Sequence, residues 1–202
     1  MWGLRLGWHL ALRVVSESED GRYRHLRQSL GGRIQPVMFV FFQIQALWAL
    51  LFALPVWAAA ASPDELGWVD AAGVTVWMVA LAGESASDRQ LSRFRASPGN
   101  TGAVCTSGLW GWSRHPNYFF EWLNWFAYLL IGWGSPHWWV CLAGIPLMYF
   151  FLTRLTGVPW TEQQALRSRG DAYREYQRTT SLFFPRPPRP STGNLAKGSS
   201  LS

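Results

Sequence analysis

The feature that most constrains this chain is residues 36–61, which contain no charged side chain. A helical run of this length is enough to cross a hydrocarbon core of about 30 Å. The segment therefore predicts an α-helical membrane protein, and Gln43 and Gln45 are the polar members that need partners inside it.

Three further apolar segments follow, at residues 66–83, 118–133 and 137–153. The first is the weakest, because Asp70 lies near its start. Composition agrees with lipid exposure: only 15% of residues are charged, whereas soluble domains carry about 25%. The 14 tryptophans are also typical of chains that contact the membrane–water boundary. We therefore predict an all-α, multi-pass transmembrane bundle with about four spans and amphipathic surface helices.

The basic residues predict the orientation of these spans. All Lys and Arg fall in residues 1–35, in 84–117 or after residue 153, whereas the turns 62–66 and 134–136 contain none. Four spans place every basic segment on one side, which is the cytoplasmic side by the positive-inside rule. Both termini are then cytoplasmic, in the endoplasmic reticulum membrane of a eukaryote or the inner membrane of a bacterium.

This pattern divides the chain into six segments. They are an amphipathic interfacial segment (1–35), two spans (36–83), a cytoplasmic loop (84–117), a transmembrane hairpin (118–153), a cytoplasmic C-terminal segment (154–185) and a disordered Pro/Gly/Ser-rich tail (186–202). The partners expected are a lipid bilayer and a lipophilic small molecule. Nucleic acid is not expected, because the arginines follow the topology. The two cysteines and scattered histidines predict neither a disulfide framework nor a metal site.

Chemistry is concentrated in the segment Arg114-His115-Pro116-Asn117-Tyr118, at the start of the third span. Proline is tolerated in the first turn of a helix, so we expect a helix to begin here. Its free backbone N–H groups favour an anion such as phosphate, and Arg114 adds a guanidinium suited to phosphate. Glu121 lies one turn further on, where it either faces a polar cavity or simply stabilises the helix N-terminus.

A second group of polar residues follows the fourth span. It consists of Glu162 and the sequence Tyr173-Arg174-Glu175-Tyr176-Gln177, in which the two tyrosines share one helical face. An amphipathic helix packed on the membrane surface explains this pattern equally well. Only the ordered set is specific: RHPNY, an acid three residues after its tyrosine, two spans, a glutamate and the YxxYQxxTSxFxP ending.

This ordered set resembles the membrane proteins grouped with steroid 5-alpha-reductases and the Δ14- and Δ7-sterol reductases, and is more distantly similar to isoprenylcysteine carboxyl methyltransferases. The resemblance covers nearly the whole chain and is strongest from Ser107 to Tyr118. In the sterol reductases the matching half binds NADPH, which implies an NADPH-dependent reductase of a lipid-soluble, steroid-like or enone double bond. The cofactor-binding residues implied are Gln90, Arg95, Trp110, Arg114, His115, Asn117, Tyr118, Glu121, Glu162, Tyr173 and Tyr176.

The catalytic candidates are Gln45 and Tyr118. Reduction of an enone requires an acid near the substrate carbonyl, and Gln45 is the candidate from the half of the chain that supplies this acid in 5-alpha-reductases. Two departures from the pattern stand out: Leu91 replaces the lysine that is usual in sterol reductases, and Phe120 replaces a common glycine.

Two other functions stay open. An S-adenosylmethionine-dependent methyltransferase of the isoprenylcysteine type shares a similar arrangement, and both cofactors contain adenosine. A non-catalytic membrane relative would keep the fold without turnover, which Leu91 favours.

Overall fold

The computed structural model describes residues 31–190, and they form two compact units, one ending at Leu51 and one beginning at Phe52. Every regular element in this range is helical, as predicted. The helices are α1 (Ile34–Ala60), α2 (Trp68–Ala96), α3 (Pro116–Ile131), α4 (Trp138–Phe150) and α5 (Gly157–Thr179). Three-residue or four-residue 3₁₀ turns lie at Gly31–Arg33, Pro98–Asn100 and Gly108–Gly111, and a π-helical turn, Phe151–Leu155, joins α4 to α5.

Two helical stretches of the described chain are long and apolar enough to cross a membrane, Gly31–Ala60 and Trp138–Thr179. Both are consistent with a bilayer environment. The apolar part of the second stretch ends near Thr153, because the sequence from Arg154 onward is rich in Arg and Glu. We therefore treat α5 as lying outside the hydrocarbon region.

The structure differs from the predicted segments at two places. Residues 84–117, predicted as a loop, begin with the last turns of α2, which continues to Ala96. Residues 186–190 of the predicted disordered tail are held by backbone hydrogen bonds, from Arg186 N–H to the Trp112 carbonyl and from Arg189 N–H to the Thr179 carbonyl. The amphipathic helix predicted at the N-terminus, residues 1–30, and the tail beyond residue 190 lie outside the described residues.

Within the second unit, α2 packs against α3 through two glycines of α2. A Cβ added to Gly73 would lie 2.7 Å from Ile131, and one added to Gly83 would lie 2.4 Å from the ring of Phe120. Small residues allow helix backbones to approach closely in membranes, where packing replaces the hydrophobic effect between helices. Gly83 thereby makes the space for the Phe120 ring.

The apolar core of the second unit lies where α3 and α4 meet the end of α1. Trp125, Ile145, Met148 and Leu152 form a buried cluster, and Phe52 packs edge-on against Trp125 with ring centroids 5.5 Å apart. Asp70, the charged residue near the start of the predicted span 66–83, is not part of this core. Its carboxylate accepts the Gly67 N–H at 2.8 Å and so caps the start of α2.

Candidate functional site

A cavity of about 690 Å³ opens among the polar segments of the second unit. Its walls come from the last turns of α2, from residues 103–118 and from α5. The volume is typical of small-molecule and cofactor sites. Eight of the eleven predicted cofactor-binding residues line it: Arg95, Trp110, Arg114, His115, Asn117, Tyr118, Tyr173 and Tyr176.

Glu162 lies behind the cavity wall and holds several of these residues in place. Its carboxylate accepts two hydrogen bonds from Arg114, Nε to Oε1 at 2.9 Å and Nη2 to Oε2 at 3.1 Å. His115 Nε2 lies 3.0 Å and Tyr173 Oη lies 2.7 Å from Oε1, and the Gln177 amide donates to Oε2. The side chains of Arg114 and Glu162 are only 10% and 13% exposed, so this is a nearly buried, bidentate ion pair.

The protonation states of this group follow from its contacts. Burial alone would raise the pKa of Glu162, but the four donors around it outweigh burial and lower its pKa to about 2. Burial, together with the hydrogen bond to Glu162, raises the pKa of Tyr173. At neutral pH the acid is therefore an anion and the phenol is a protonated donor. In residues 31–190 every buried side-chain nitrogen and oxygen has a hydrogen-bond partner.

Arg114 makes contacts within the protein that its sequence position does not reveal. Besides the two bonds to Glu162, its Nη1 donates to the carbonyls of Gln177 and Thr180, at 3.0 and 2.9 Å. Four of its five N–H groups are thus committed to the protein. The side chain ties the loop before α3 to the end of α5, and it has little capacity left for a phosphate.

The loop that carries Trp110 and Arg114 is fixed from several directions. Trp110 Nε1 donates to the Ser87 carbonyl at 2.9 Å, and the Tyr176 hydroxyl donates to the Trp110 carbonyl. Ser113 Oγ donates to the Phe183 carbonyl at 2.8 Å, which fastens the chain after α5 across the same loop. These hydrogen bonds restrict the rotation of the loop and its side chains, so this part of the cavity wall is preformed.

Three of the predicted residues do not line the cavity. Glu162 acts through the contacts above. Gln90 accepts the Leu109 N–H at 3.0 Å and packs against Gly108, whose φ of +60° requires glycine, so Gln90 shapes the neighbouring turn. Glu121 lies one turn into α3, partly buried and near the carboxylates of Glu84 and Asp88.

The two catalytic candidates fall in different units. Tyr118 lines the cavity, and its ring stacks on His115 with centroids 5.5 Å apart and planes 5° from parallel. Gln45 belongs to the first unit and is exposed on α1. Whether either residue takes part in catalysis stays a prediction.

Two charged cavity residues escaped the sequence analysis, Asp88 and Arg169. Asp88 accepts a hydrogen bond from the Asn117 amide at 3.2 Å. Asp88, Leu91 and Arg95 are spaced three and four residues apart, so they share one helical face, and that spacing was the signal available. Arg169 precedes Gly170, whose φ of 52° and ψ of −122° kink α5, and no sequence pattern marks this geometry.

The residues described here form no group of His, Cys, Asp and Glu that could hold a metal ion. No curated protein and no solved structure is significantly similar to the chain. One family model matches residues 1–180, that of a protein family of unknown function (DUF1295). Since this match covers most of the sequence, the chain belongs to the DUF1295 family.

Proposed function

We propose that this protein is a membrane-embedded NADPH-dependent reductase that acts on a lipid-soluble double bond, such as that of an enone. One observation carries the proposal: a cofactor-sized cavity whose wall includes the RHPNY segment, at the polar end of an apolar helical unit. The same segment carries the resemblance to sterol reductases, and on that ground we assign the chain to the steroid 5-alpha-reductase-like group.

The residues that line the cavity suit a dinucleotide. Tyr118 and Trp110 offer aromatic surfaces for a planar ring, Asn117 offers an amide, and arginines lie in the same wall. NADPH, when bound, would supply the hydride. The protein's part would be to orient the reacting ring, to exclude water and to deliver a proton, and Tyr118 is the cavity's candidate proton donor.

We also propose four membrane spans with both termini cytoplasmic. The short turns 61–67 and 132–137 lie at the same end of the second unit, because a Cβ on Gly134 would collide with the Asp64 carboxylate. Neither turn contains Lys or Arg, whereas three arginines line the cavity. This arrangement supports one basic, cytoplasmic end and one neutral end.

An S-adenosylmethionine-dependent methyltransferase is the second candidate, and one observation favours it. Asp88 puts a carboxylate in the wall beside Trp110 and Tyr118. A carboxylate and aromatic faces attract a cation, and S-adenosylmethionine carries a positively charged sulfonium. The two functions differ in cofactor and product, so a single assay separates them.

The test is turnover by the full chain in lipid nanodiscs with a 4-en-3-one steroid as the probe. We expect NADPH to be consumed and the ring double bond to be reduced. General acids contribute about 10²–10⁴-fold to the rate. The Tyr118→Phe variant keeps the aromatic ring but lacks the proton donor, so it should lose at least about tenfold in turnover. Tyr128→Phe, which lies outside the cavity, is the control. A methylated product from S-adenosylmethionine, with no NADPH consumption, would contradict the reductase.

A further inference from the structure

The charge of the cavity depends on which arginines are free to bind a ligand. Three arginines line it: Arg95, Arg114 and Arg169. Arg114 is neutralised by Glu162 and donates two further hydrogen bonds to backbone carbonyls. Positive charge available to a ligand must therefore come from Arg95 and Arg169.

Arg169 is held in a way that leaves its outer nitrogens available. Its Nε donates to the Ala103 carbonyl at 2.9 Å, which fixes the base of the guanidinium. Within residues 31–190 its two Nη groups form no hydrogen bond or ion pair, and neither does the exposed side chain of Arg95. As far as the described part of the chain shows, both residues thus present donors at the cavity that no protein group uses.

These two arginines lie at the same end of the cavity. Arg95 is in the last turn of α2, and Asn100 Nδ2 donates to the Phe94 carbonyl at 2.9 Å, so the turn after α2 folds back on the helix end. Ala103, which holds Arg169, follows that turn directly. The C-terminal end of α2 is therefore the cationic end.

The other end of the cavity has the opposite character. Asp88 lies seven residues before Arg95, about 10 Å along the same face of α2 at ~1.5 Å per residue. It is hydrogen-bonded to Asn117, and the neighbouring Tyr118 ring packs on Gly157 at the start of α5. That position is twelve residues before Arg169 on the same helix, or about 18 Å. Positions along α2 and positions along α5 thus indicate independently that the cationic end of the cavity lies away from the Tyr118 end.

We propose that Arg169, together with Arg95, forms an anion-binding end that recognises a phosphomonoester, and that the ligand extends along α2 with an uncharged ring at the Tyr118 end. A phosphomonoester dianion offers three acceptor oxygens, which two planar guanidinium groups can engage in pairs. The identification of this ligand as NADPH rests on the proposed function, whereas the placement of the anionic end does not.

The test uses the full chain in detergent micelles and the probe 2′,5′-ADP, with NADPH in parallel. Arg169→Gln and Arg95→Gln should each weaken binding of the probe at least about tenfold, the lower range for a charged hydrogen bond. Arg167→Gln and Arg93→Gln remove the same charge from the same helices, two residues away and outside the cavity wall. These controls should change affinity less than about twofold. Arg169→Lys should regain part of the loss, and unfolding temperatures check that each variant folds.

The outcomes separate this inference from the proposed function. If Arg169→Gln binds the probe as Arg167→Gln does, or if the wild type does not bind the probe, the anion-binding end is wrong. A further outcome is that binding of the probe depends on Arg169 while NADPH is neither bound in preference to S-adenosylmethionine nor consumed. That result would contradict the proposed reductase and support the anion-binding end.

Discussion

Glu162 is the residue that connects the loop before α3 to α5, since its carboxylate receives donors from both. Replacement by glutamine would leave Arg114 nearly buried without a counter-charge. Removing one partner of a buried ion pair costs about 3–5 kcal/mol. We therefore expect Glu162→Gln to lower the unfolding temperature of the detergent-solubilised protein strongly.

Asp171→Asn is the matched control for this variant. Asp171 pairs with Arg174 on the surface of the same helix, with side chains 94% and 64% exposed, and exposed pairs contribute at most about 1 kcal/mol. Equal shifts in the two variants would mean that the Glu162 pair does not stabilise the fold.

The low pKa of Glu162 makes a pH-dependent contribution to stability. Its pKa of about 2 in the folded chain lies below the ordinary value of 4.5, so the folded state favours the anion. The stabilisation is complete above about pH 4.5 and is lost as the pH falls through about 2. Unfolding temperatures of the wild type should drop across this window, whereas Glu162→Gln should show a shallower drop. Parallel curves for the two proteins would contradict this assignment.

At the scale of elements, the crossing of α2 and α3 depends on Gly83. We expect Gly83→Ala to destabilise the protein by about 1–3 kcal/mol, because the new Cβ overlaps the Phe120 ring. Adding Phe120→Ala should relieve part of the loss. Gly99→Ala is the control, since a Cβ there meets nothing within 4 Å. A stability equal to that of the control would show that the helices move apart without cost.

Sequence predicted the apolar helices closely and the polar ones poorly. The segment 36–61 corresponds to Ile34–Ala60 and the segment 118–133 to Pro116–Ile131, because long, predominantly apolar runs permit little else in a membrane. The end of α2 was missed because residues 84–96 are polar and leave the hydropathy pattern while remaining helical.

The candidate site was predicted as a set of residues but not as a network. Eight predicted residues share one cavity, since the motif order places them at the same end of the spans. The pairing of Arg114 with Glu162 joins residues 48 positions apart, which no local spacing reveals. Arg114 is held by Glu162 in the cavity wall, and its predicted contact with a cofactor stays a prediction.

For the whole molecule, the proposed topology places the two short turns of the second unit on one side of a membrane and the turn after α2 on the other side. Cysteines introduced at Asp64 and Pro136, in the two short turns, should react with a membrane-impermeant maleimide from the same side. A cysteine at Gly99 should react only from the other side. Cys105 and Cys141 are buried, and the wild type gives their background labelling. Labelling of all three positions from one side would contradict the four-span topology.

The central claim is that the cavity beside the RHPNY segment binds a dinucleotide. Isothermal titration calorimetry of the full chain in detergent, with NADPH and with S-adenosylmethionine, tests it most directly. We predict that NADPH binds at one site per chain and more tightly than S-adenosylmethionine. Tighter binding of S-adenosylmethionine, or no heat of binding with NADPH, would contradict the claim.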